Sequence, residues 1–279
     1  MFIFEIIKAI ILGIVQGITE WLPISSTGHM ILVNDFLPMQ VYADVVMNKE
    51  FVDMFMVVIQ LGSILAVLLL YFSKLNPFSK NKKNPNHFKD TMNLWIKVAI
   101  AAVPAAIIGL LFDDMIDSVL YNSVVVAITL IVYGFAFLWI ESRKKHAKIT
   151  NLSQLDYKTA ALIGVFQILA LVPGTSRSGS TILGAVLLGC ARPVAAEFSF
   201  FLAIPMMFGA SLLKLIKLKM ALDFTGIVIL LVGMVTAFIV SIIAIKTFMS
   251  YIRKHDFKVF GYYRIILGVI VLLYFAFLR

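Results

Sequence analysis

The sequence predicts an all-α polytopic membrane protein with an inverted-topology repeat, from its composition, its long apolar runs and a broken motif that occurs twice. Of its 279 residues, 61 % are hydrophobic and 14 % are charged, and the mean hydropathy is +0.99. A soluble domain carries about 25 % charged residues and could not bury so much apolar surface in one core. Most of the chain is therefore expected to contact lipid, and 1–279 to form a single integral membrane domain.

Six apolar stretches have the length of about 20 residues that a helix needs to cross a bilayer. They lie at 54–72, 94–112, 120–140, 198–216, 226–247 and 262–278. Two further apolar regions, 2–37 and 158–190, are interrupted by the segments WLPISSTGH and LVPGTSRSG. A broken backbone at membrane depth is tolerated only where protein buries it or where it lines a wet cavity. Both regions are predicted to be re-entrant helix–loop–helix hairpins with limbs too short to cross.

The two interrupted regions share a pattern of Gly-x-x-Gln, then Pro, then closely spaced Ser. It stands at 13–16, 23 and 25–26 in the first region, and at 164–167, 173 and 176–178 in the second. Each hairpin is followed by three predicted spans. Because three is odd, the second copy would enter the membrane upside down, an arrangement that many transporters use. We expect the first repeat over 1–145 and the second, inverted repeat over 155–279.

The net charge of +9 would suggest a nucleic-acid partner if the basic residues formed a patch. Instead, thirteen of the 24 Lys and Arg residues lie in three polar stretches, 73–93, 141–158 and 248–261. Re-entrant hairpins put these stretches on one face, which the positive-inside rule makes cytoplasmic. If each interrupted region crossed the membrane twice, the three basic stretches would still lie on one face. The charges therefore indicate the orientation of the chain but do not show whether the hairpins are re-entrant. No nucleic-acid partner is expected.

The two interruptions predict an anion site. Where a helix restarts after a break, its first N–H groups lack partners within the helix and its dipole is positive. Two hairpins of an inverted repeat can bring two such helix starts to one cavity. Hydroxyl groups and a guanidinium add donors that suit phosphate oxygens. These donors are Ser25, Ser26, Thr27, Ser176, Ser178, Thr181 and Arg177.

Arg177 is the strongest single indication of function. A guanidinium near membrane depth costs about 2.5 to 3.5 kcal/mol on insertion scales, so it needs a partner or a ligand. Pairing with Glu20 or extension to the cytoplasmic face would be purely structural alternatives. The Gly- and Ser-rich surroundings of Arg177 favour a ligand.

A carboxylate, an imidazole and a hydroxyl lie close together in the first interrupted region. Gln16 and Glu20 are four residues apart and therefore share one helix face, and His29 follows Ser26 by three residues. These groups can supply a base, an acid and a nucleophile. An ion pair or proton relay for Glu20 and a structural hydrogen bond for His29 are the alternatives.

These motifs resemble the bacterial undecaprenyl-diphosphate phosphatases associated with bacitracin resistance, and the resemblance covers nearly the whole chain. The signature PGxSRSxxT stands at 173–181, and its Gly174 is counted with the phosphate-binding residues. The second signature, an acid or Gln four residues before Glu, stands as Gln16 and Glu20. Many members carry Glu where this chain has Gln16, so an acid–base role for that position is weakened.

The resemblance implies an integral membrane hydrolase that converts undecaprenyl diphosphate to undecaprenyl phosphate and inorganic phosphate. This reaction recycles the lipid carrier for peptidoglycan synthesis and confers bacitracin resistance. The site would open to the extracytoplasmic side of the bacterial cell membrane. A divalent cation, Ca²⁺ or Mg²⁺, would support activity, with Gln16 and Glu20 as candidate ligands. The partners would be a polyprenyl diphosphate and membrane lipid, and a homodimer is left open because no motif assigns an oligomeric state.

In the expected mechanism, Arg177 and the N–H groups of 176–179 hold the phosphoryl group. Ser26 is the candidate nucleophile, with His29 or Glu20 taking its proton, and direct attack by water activated by Glu20 is the competing route. The inverted repeat also suggests a different function, a lipid-phosphate transporter or flippase of the polyprenyl carrier.

Overall fold

The computed structural model describes residues 2–79, 85–120, 122–143, 146–217 and 222–277. Over these ranges the chain is helical, with no strand. The helices are α1 (Phe2–Thr19), α2 (Ser26–Phe36), α3 (Val45–Leu70), α4 (Phe72–Leu75), α5 (His87–Leu120), α6 (Ser123–Ser142), α7 (Tyr157–Ile168), α8 (Arg177–Leu187), α9 (Arg192–Lys217), α10 (Phe224–Ile252) and α11 (Lys258–Phe277). Short 3-10 turns cover Leu152–Gln154 and Leu169–Leu171.

Seven helices in the described part of the chain are long and apolar enough to cross a membrane: α1, α3, α5, α6, α9, α10 and α11. Six of them correspond to the six predicted spans, which confirms an all-α polytopic membrane protein. The seventh, α1, is the first limb of the first hairpin. At 18 residues it is longer than a re-entrant limb was expected to be. No proline interrupts Phe2–Thr19, so nothing stops the helix earlier.

The other three limbs of the interrupted regions are short, as predicted. α2 and α8 have 11 residues each and α7 has 12. Each of these lengths corresponds to about 16 to 18 Å of helix, roughly half the hydrocarbon thickness of a bilayer. The Pro, Gly and Ser residues at 23–28 and 173–179 therefore divide both regions at the positions that the sequence indicates.

The two halves of the chain pack by exchanging helices. α1 of the first half packs along α10 of the second, and α7 of the second half packs along α5 of the first. Helices at corresponding places in the two halves also pair, α3 with α9 and α6 with α11, and α3 packs along α10 as well. Such reciprocal packing is expected of a twofold repeat. The inverted orientation and the repeat bounds 1–145 and 155–279 stay predictions.

The closest approaches between helices occur at glycines, which have no side chain. A Cβ on Gly62 of α3 would overlap the carbonyl group of Met234 on α10, and a Cβ on Gly164 of α7 would overlap the backbone of Ala101 on α5. Small residues at helix interfaces let membrane helices approach closely, because packing must replace the hydrophobic effect there. These glycines therefore set the distance between α3 and α10 and between α7 and α5.

We expect Gly62→Ala to lower the thermal unfolding midpoint of the purified protein in detergent. The added methyl group must displace backbone, and overpacking of this kind costs about 1 to 3 kcal/mol. Gly209→Ala on α9 is the matched control, because no described atom lies within 4 Å of its Cβ position and alanine favours the helix by up to about 1 kcal/mol. A Gly62→Ala midpoint equal to that of Gly209→Ala would contradict the packing.

Candidate active site

The two helix breaks have the same local backbone. Ser25 caps α2 with φ 73° and ψ 96°, and its hydroxyl oxygen accepts the N–H of Gly28 at 3.3 Å. Ser176 caps α8 with φ 73° and ψ 125°, and its hydroxyl oxygen accepts the N–H of Gly179 at 3.1 Å. A positive φ at a residue other than glycine costs about 1 to 3 kcal/mol and persists only where the surrounding structure holds it. Both breaks are therefore held in the same strained conformation.

The structure brings the two breaks into contact. The hydroxyl of Ser178, at the start of α8, donates to the carbonyl oxygens of Glu20 at 3.1 Å and Leu22 at 3.2 Å. Arg177 Nη2 donates to Glu20 Oε1 at 2.8 Å. Residues separated by more than 150 positions thus meet where each helix restarts.

Glu20 is the centre of the site. Its carboxylate is buried, and Oε1 accepts the hydrogen bond from Arg177. The other oxygen, Oε2, accepts from the hydroxyl of Ser26 at 3.0 Å and from Nε2 of Gln16 at 3.1 Å. All three contacts are donations to the carboxylate, which suits its ionised form. One carboxylate therefore holds a guanidinium and a serine hydroxyl at the same time.

Arg177 contacts Glu20, Ser199 and Trp21, and one of its N–H donors has no partner among the described residues. Besides Glu20, it donates from Nη1 to the carbonyl oxygen of Ser199 at 2.8 Å, and its guanidinium lies 5.6 Å from the ring centre of Trp21. Its Nε is buried and has no hydrogen-bond partner in the described residues. The structural alternative, a pair with Glu20, is thus present, and the Nε–H remains available to a ligand.

His29 makes different contacts from those of Ser26. Its Nδ1 lies 2.7 Å from the carbonyl oxygen of Ser25, and its Nε2 lies 2.6 Å from the hydroxyl of Tyr263 on α11. A neutral imidazole satisfies both contacts, with Nδ1–H donating to the carbonyl and Nε2 accepting from the tyrosine. Of the two candidate proton acceptors for Ser26, Glu20 is the one that contacts its hydroxyl.

The candidate phosphate-binding residues fall into two groups. Ser25, Ser178 and Thr181 are buried and hydrogen-bonded inside the protein. Ser26, Thr27 and Ser176 are partly exposed, so their hydroxyls can reach a ligand.

Gly174, the remaining candidate, has φ 86°, and a Cβ at this position would overlap the backbone of Val126. The second break therefore requires glycine here.

Only part of the first turn of α8 is free to bind an anion through its backbone. The N–H of Gly179 donates to the hydroxyl oxygen of Ser176, and the N–H of Ser180 donates to the carbonyl oxygen of the same residue. The N–H groups of Arg177 and Ser178 have no acceptor within the helix. The backbone donors are therefore 177 and 178 rather than the whole of 176–179.

Arg264 is a functional candidate that the sequence reasoning missed. It lies on α11 with no exposed surface, and Nη1 donates to the carbonyl oxygen of Pro23 at 3.0 Å. Nη2 donates to the carbonyl oxygens of Gly174 at 2.9 Å and Thr175 at 2.8 Å. No carboxylate pairs with it among the described residues. The available signal was a charged residue inside the apolar run 262–278, the same argument that singled out Arg177.

The site offers few metal ligands. The described residues contain no group of three or more His, Cys, Asp or Glu that could hold a metal ion. Glu20 and Gln16 supply hard oxygen atoms on one helix face, which Ca²⁺ and Mg²⁺ prefer. They fit a cation only if the ligand's own oxygens and water complete the coordination, as Mg²⁺ often requires.

Replacement of Arg264 by Lys should lower the thermal unfolding midpoint by several degrees. Lysine has one ammonium group and cannot reach carbonyl oxygens of both breaks, so buried acceptors lose their donors at about 1 to 3 kcal/mol each. The matched control is Arg143→Lys at the exposed end of α6, which makes the same substitution outside the site. It should leave the thermal unfolding midpoint unchanged. Equal midpoints in both variants would show that Arg264 does not hold the breaks together.

Comparison with known proteins agrees with this arrangement. The family model described as "Bacitracin resistance protein BacA" matches residues 9–270. The undecaprenyl-diphosphatase of Acetivibrio thermocellus is 60 % identical over 277 residues, covering 99 % of both chains. Undecaprenyl-diphosphatase 1 of Clostridioides difficile is 61 % identical over 273 residues, covering 97 % of this chain and 96 % of the relative. The undecaprenyl-diphosphatase of Enterococcus faecalis is 57 % identical over 275 residues, covering 97 % of both. The chain belongs to the BacA family of bacitracin resistance proteins.

Proposed function

We propose that this chain hydrolyses undecaprenyl diphosphate to undecaprenyl phosphate and inorganic phosphate within the cell membrane. The observation that carries the proposal is the Glu20 carboxylate, which binds the Ser26 hydroxyl and the Arg177 guanidinium where two broken helices restart. Relatives that are 57 to 61 % identical to this chain carry the name of this activity. The product would be the lipid carrier that peptidoglycan synthesis uses again.

The diphosphate binds between the two breaks, and the isoprenoid tail stays in lipid. The guanidinium of Arg177 holds the terminal phosphoryl group, with the N–H groups at the starts of α2 and α8 as further donors. Its unpartnered Nε–H supports this role. The partly exposed hydroxyls of Thr27 and Ser176 complete the set of donors. As charge moves to the bridging oxygen, these fixed donors stabilise the transition state.

Ser26 attacks the terminal phosphorus atom, and Glu20 takes the hydroxyl proton. A bond forms between Ser26 Oγ and phosphorus while the bond to the bridging oxygen breaks, and undecaprenyl phosphate leaves. Water then hydrolyses the phosphoserine, releases inorganic phosphate and restores the hydroxyl. The distance of 3.0 Å between Ser26 Oγ and Glu20 Oε2 supports this pathway. Direct attack by water with Glu20 as its base is the competing route, and a trapped phosphoserine would separate the two.

A divalent cation fits the proposal only together with the substrate. Gln16 and Glu20 would hold it, and it would supply neutralisation of the diphosphate charge. The resemblance to the family supports a site that opens to the extracytoplasmic side, and the three basic stretches assign the other face of the membrane to the cytoplasm. Transport of the polyprenyl carrier between leaflets stays a prediction that rests on the repeat.

Glu20→Gln and Ser26→Ala should each reduce the release of inorganic phosphate from a polyprenyl diphosphate. The amide of Gln cannot accept the serine proton, and loss of a general base lowers rates by about 10² to 10⁴-fold. Glu50→Gln, an exposed change of the same kind on α3, should retain full activity. Full activity in Glu20→Gln would overturn the assignment of this site.

Phosphate release should also fall when a chelator removes divalent cations, and it should return when Mg²⁺ or Ca²⁺ is added back. The expected reason is that the Glu20 carboxylate already offsets the charge of the Arg177 guanidinium, so the protein leaves much of the diphosphate charge uncompensated. The measurement is the rate of phosphate release at a fixed substrate concentration with and without chelator. Undiminished release in excess chelator would exclude the cation and leave the other roles intact.

A further inference from the structure

A cavity of about 430 Å³, lined mainly by polar residues, lies outside the candidate active site. It is bounded by the segment after α3, the first three turns of α5 and the 3-10 turn at Leu152–Gln154. It shares no residue with the site around Glu20 and Arg177. The proposed phosphatase reaction leaves it without a role.

The cavity follows one face of α5. His87, Asp90, Leu94 and Lys97 line it, and their spacings of three, four and three residues place them on the same side of the helix. Ten residues separate His87 from Lys97, which corresponds to about 15 Å along the helix axis. Lys97 therefore lies at one end of the cavity, inside the apolar part of α5, and His87 lies at the other end.

The ammonium group of Lys97 lacks a polar partner. The residue is only 5 % exposed, and its Nζ lies 5.8 Å from the ring centre of Tyr157. Across the described ranges it makes no hydrogen bond and no ion pair. Asp156 and Asp90 act on it electrostatically without pairing with it, and Asp90 is exposed. Lys97 lines the cavity, and its Nζ is not among the buried polar atoms without a partner, so the ammonium group reaches the cavity. An ammonium in such apolar surroundings favours an anionic ligand there.

The other lining groups suit an anion. Lys74 adds a second ammonium, which is 2.5 Å from Glu197. Ser73, Thr91 and Ser153 add hydroxyl groups. Asp90 is the one carboxylate among the lining residues, and because Glu197 pairs with Lys74, Lys97 is the principal ammonium group that an anion can contact. Tetrahedral oxyanions take hydrogen bonds from this mixture of ammonium and hydroxyl donors.

We propose that this cavity binds a phosphoryl anion, with the Lys97 ammonium as its principal ligand. The anion is either inorganic phosphate or the headgroup of a phosphomonoester lipid, since both present the same dianionic group. The volume is sufficient for a phosphate group with part of a glycerol. The cavity borders the basic stretches 73–93 and 141–158, which belong to the face assigned to the cytoplasm. The bound anion would lie on the opposite side of the membrane from the proposed substrate.

Two measurements on the purified full chain distinguish the sources of the anion. The first is equilibrium dialysis of radiolabelled inorganic phosphate against the protein in lipid-free detergent. The second is native mass spectrometry of the protein released from phosphatidylcholine nanodiscs containing phosphatidic acid. Binding in the first identifies the free ion. A retained phosphatidic acid without binding in the first identifies the lipid headgroup. Either result supports the proposal if it depends on Lys97.

Lys97→Gln should weaken this binding at least tenfold, and Lys97→Arg should keep most of it because the charge remains. Lys89→Gln is the matched control, since it removes the same charge from an exposed position on the same helix. Leu94→Trp keeps every charge and fills the cavity, so it should also abolish binding. Phosphate release in each variant reports whether the chain still folds and whether the other site is intact.

The proposal is overturned if neither measurement detects binding, or if Lys97→Gln and Leu94→Trp bind as the wild type does. If Lys97→Gln fails to fold, Leu94→Trp alone decides. If the wild type releases no phosphate, the proposed function is contradicted. The binding measurements at the cavity remain valid in that case, because the two sites share no residue.

Discussion

The contact between two broken helices, made by the Glu20–Arg177 ion pair, is the constraint on which the rest of the structure depends. A chain that stops a helix at membrane depth exposes backbone N–H and C=O groups that lipid cannot satisfy. Here each break is satisfied by the other break or by α11. Ser178 donates to carbonyls of the first break, and Arg264 donates to carbonyls of both. Neither break would be stable alone.

The groups that stabilise the breaks are also those that the proposed reaction needs. The carboxylate of Glu20 keeps the Arg177 guanidinium and the Ser26 hydroxyl in place before a substrate arrives. A phosphoryl group would compete with this carboxylate for the guanidinium, so binding would exchange one charge-assisted contact for another. Donors that are fixed beforehand lose little freedom when the ligand binds, which is the usual advantage of a preorganised site. Structural stability and phosphate recognition therefore depend on the same few side chains.

The sequence predicted the helical spans and both breaks well, because apolar length and the Pro, Gly and Ser residues act locally. It also singled out Arg177, Glu20 and Ser26, which stand in dense motifs. Arg264 was missed because it stands alone in an apolar run, and nothing near it in sequence indicates that it contacts residues 23 and 174–175. The prediction that both limbs of the first region are too short to cross was wrong for α1, because the 18 residues before the break are enough for a span.

The sequence by itself determined that the chain lies in lipid, six of its seven long apolar helices, the two positions where helices break and the family to which the chain belongs. These follow from composition and from patterns within about 20 residues. Only the tertiary structure decided that Glu20 contacts Ser26 while His29 contacts Tyr263, and that Arg264 joins the two breaks. It also decided that Lys97 lies beside a polar cavity. These contacts join residues on different helices, and their geometry comes from packing that no local pattern encodes.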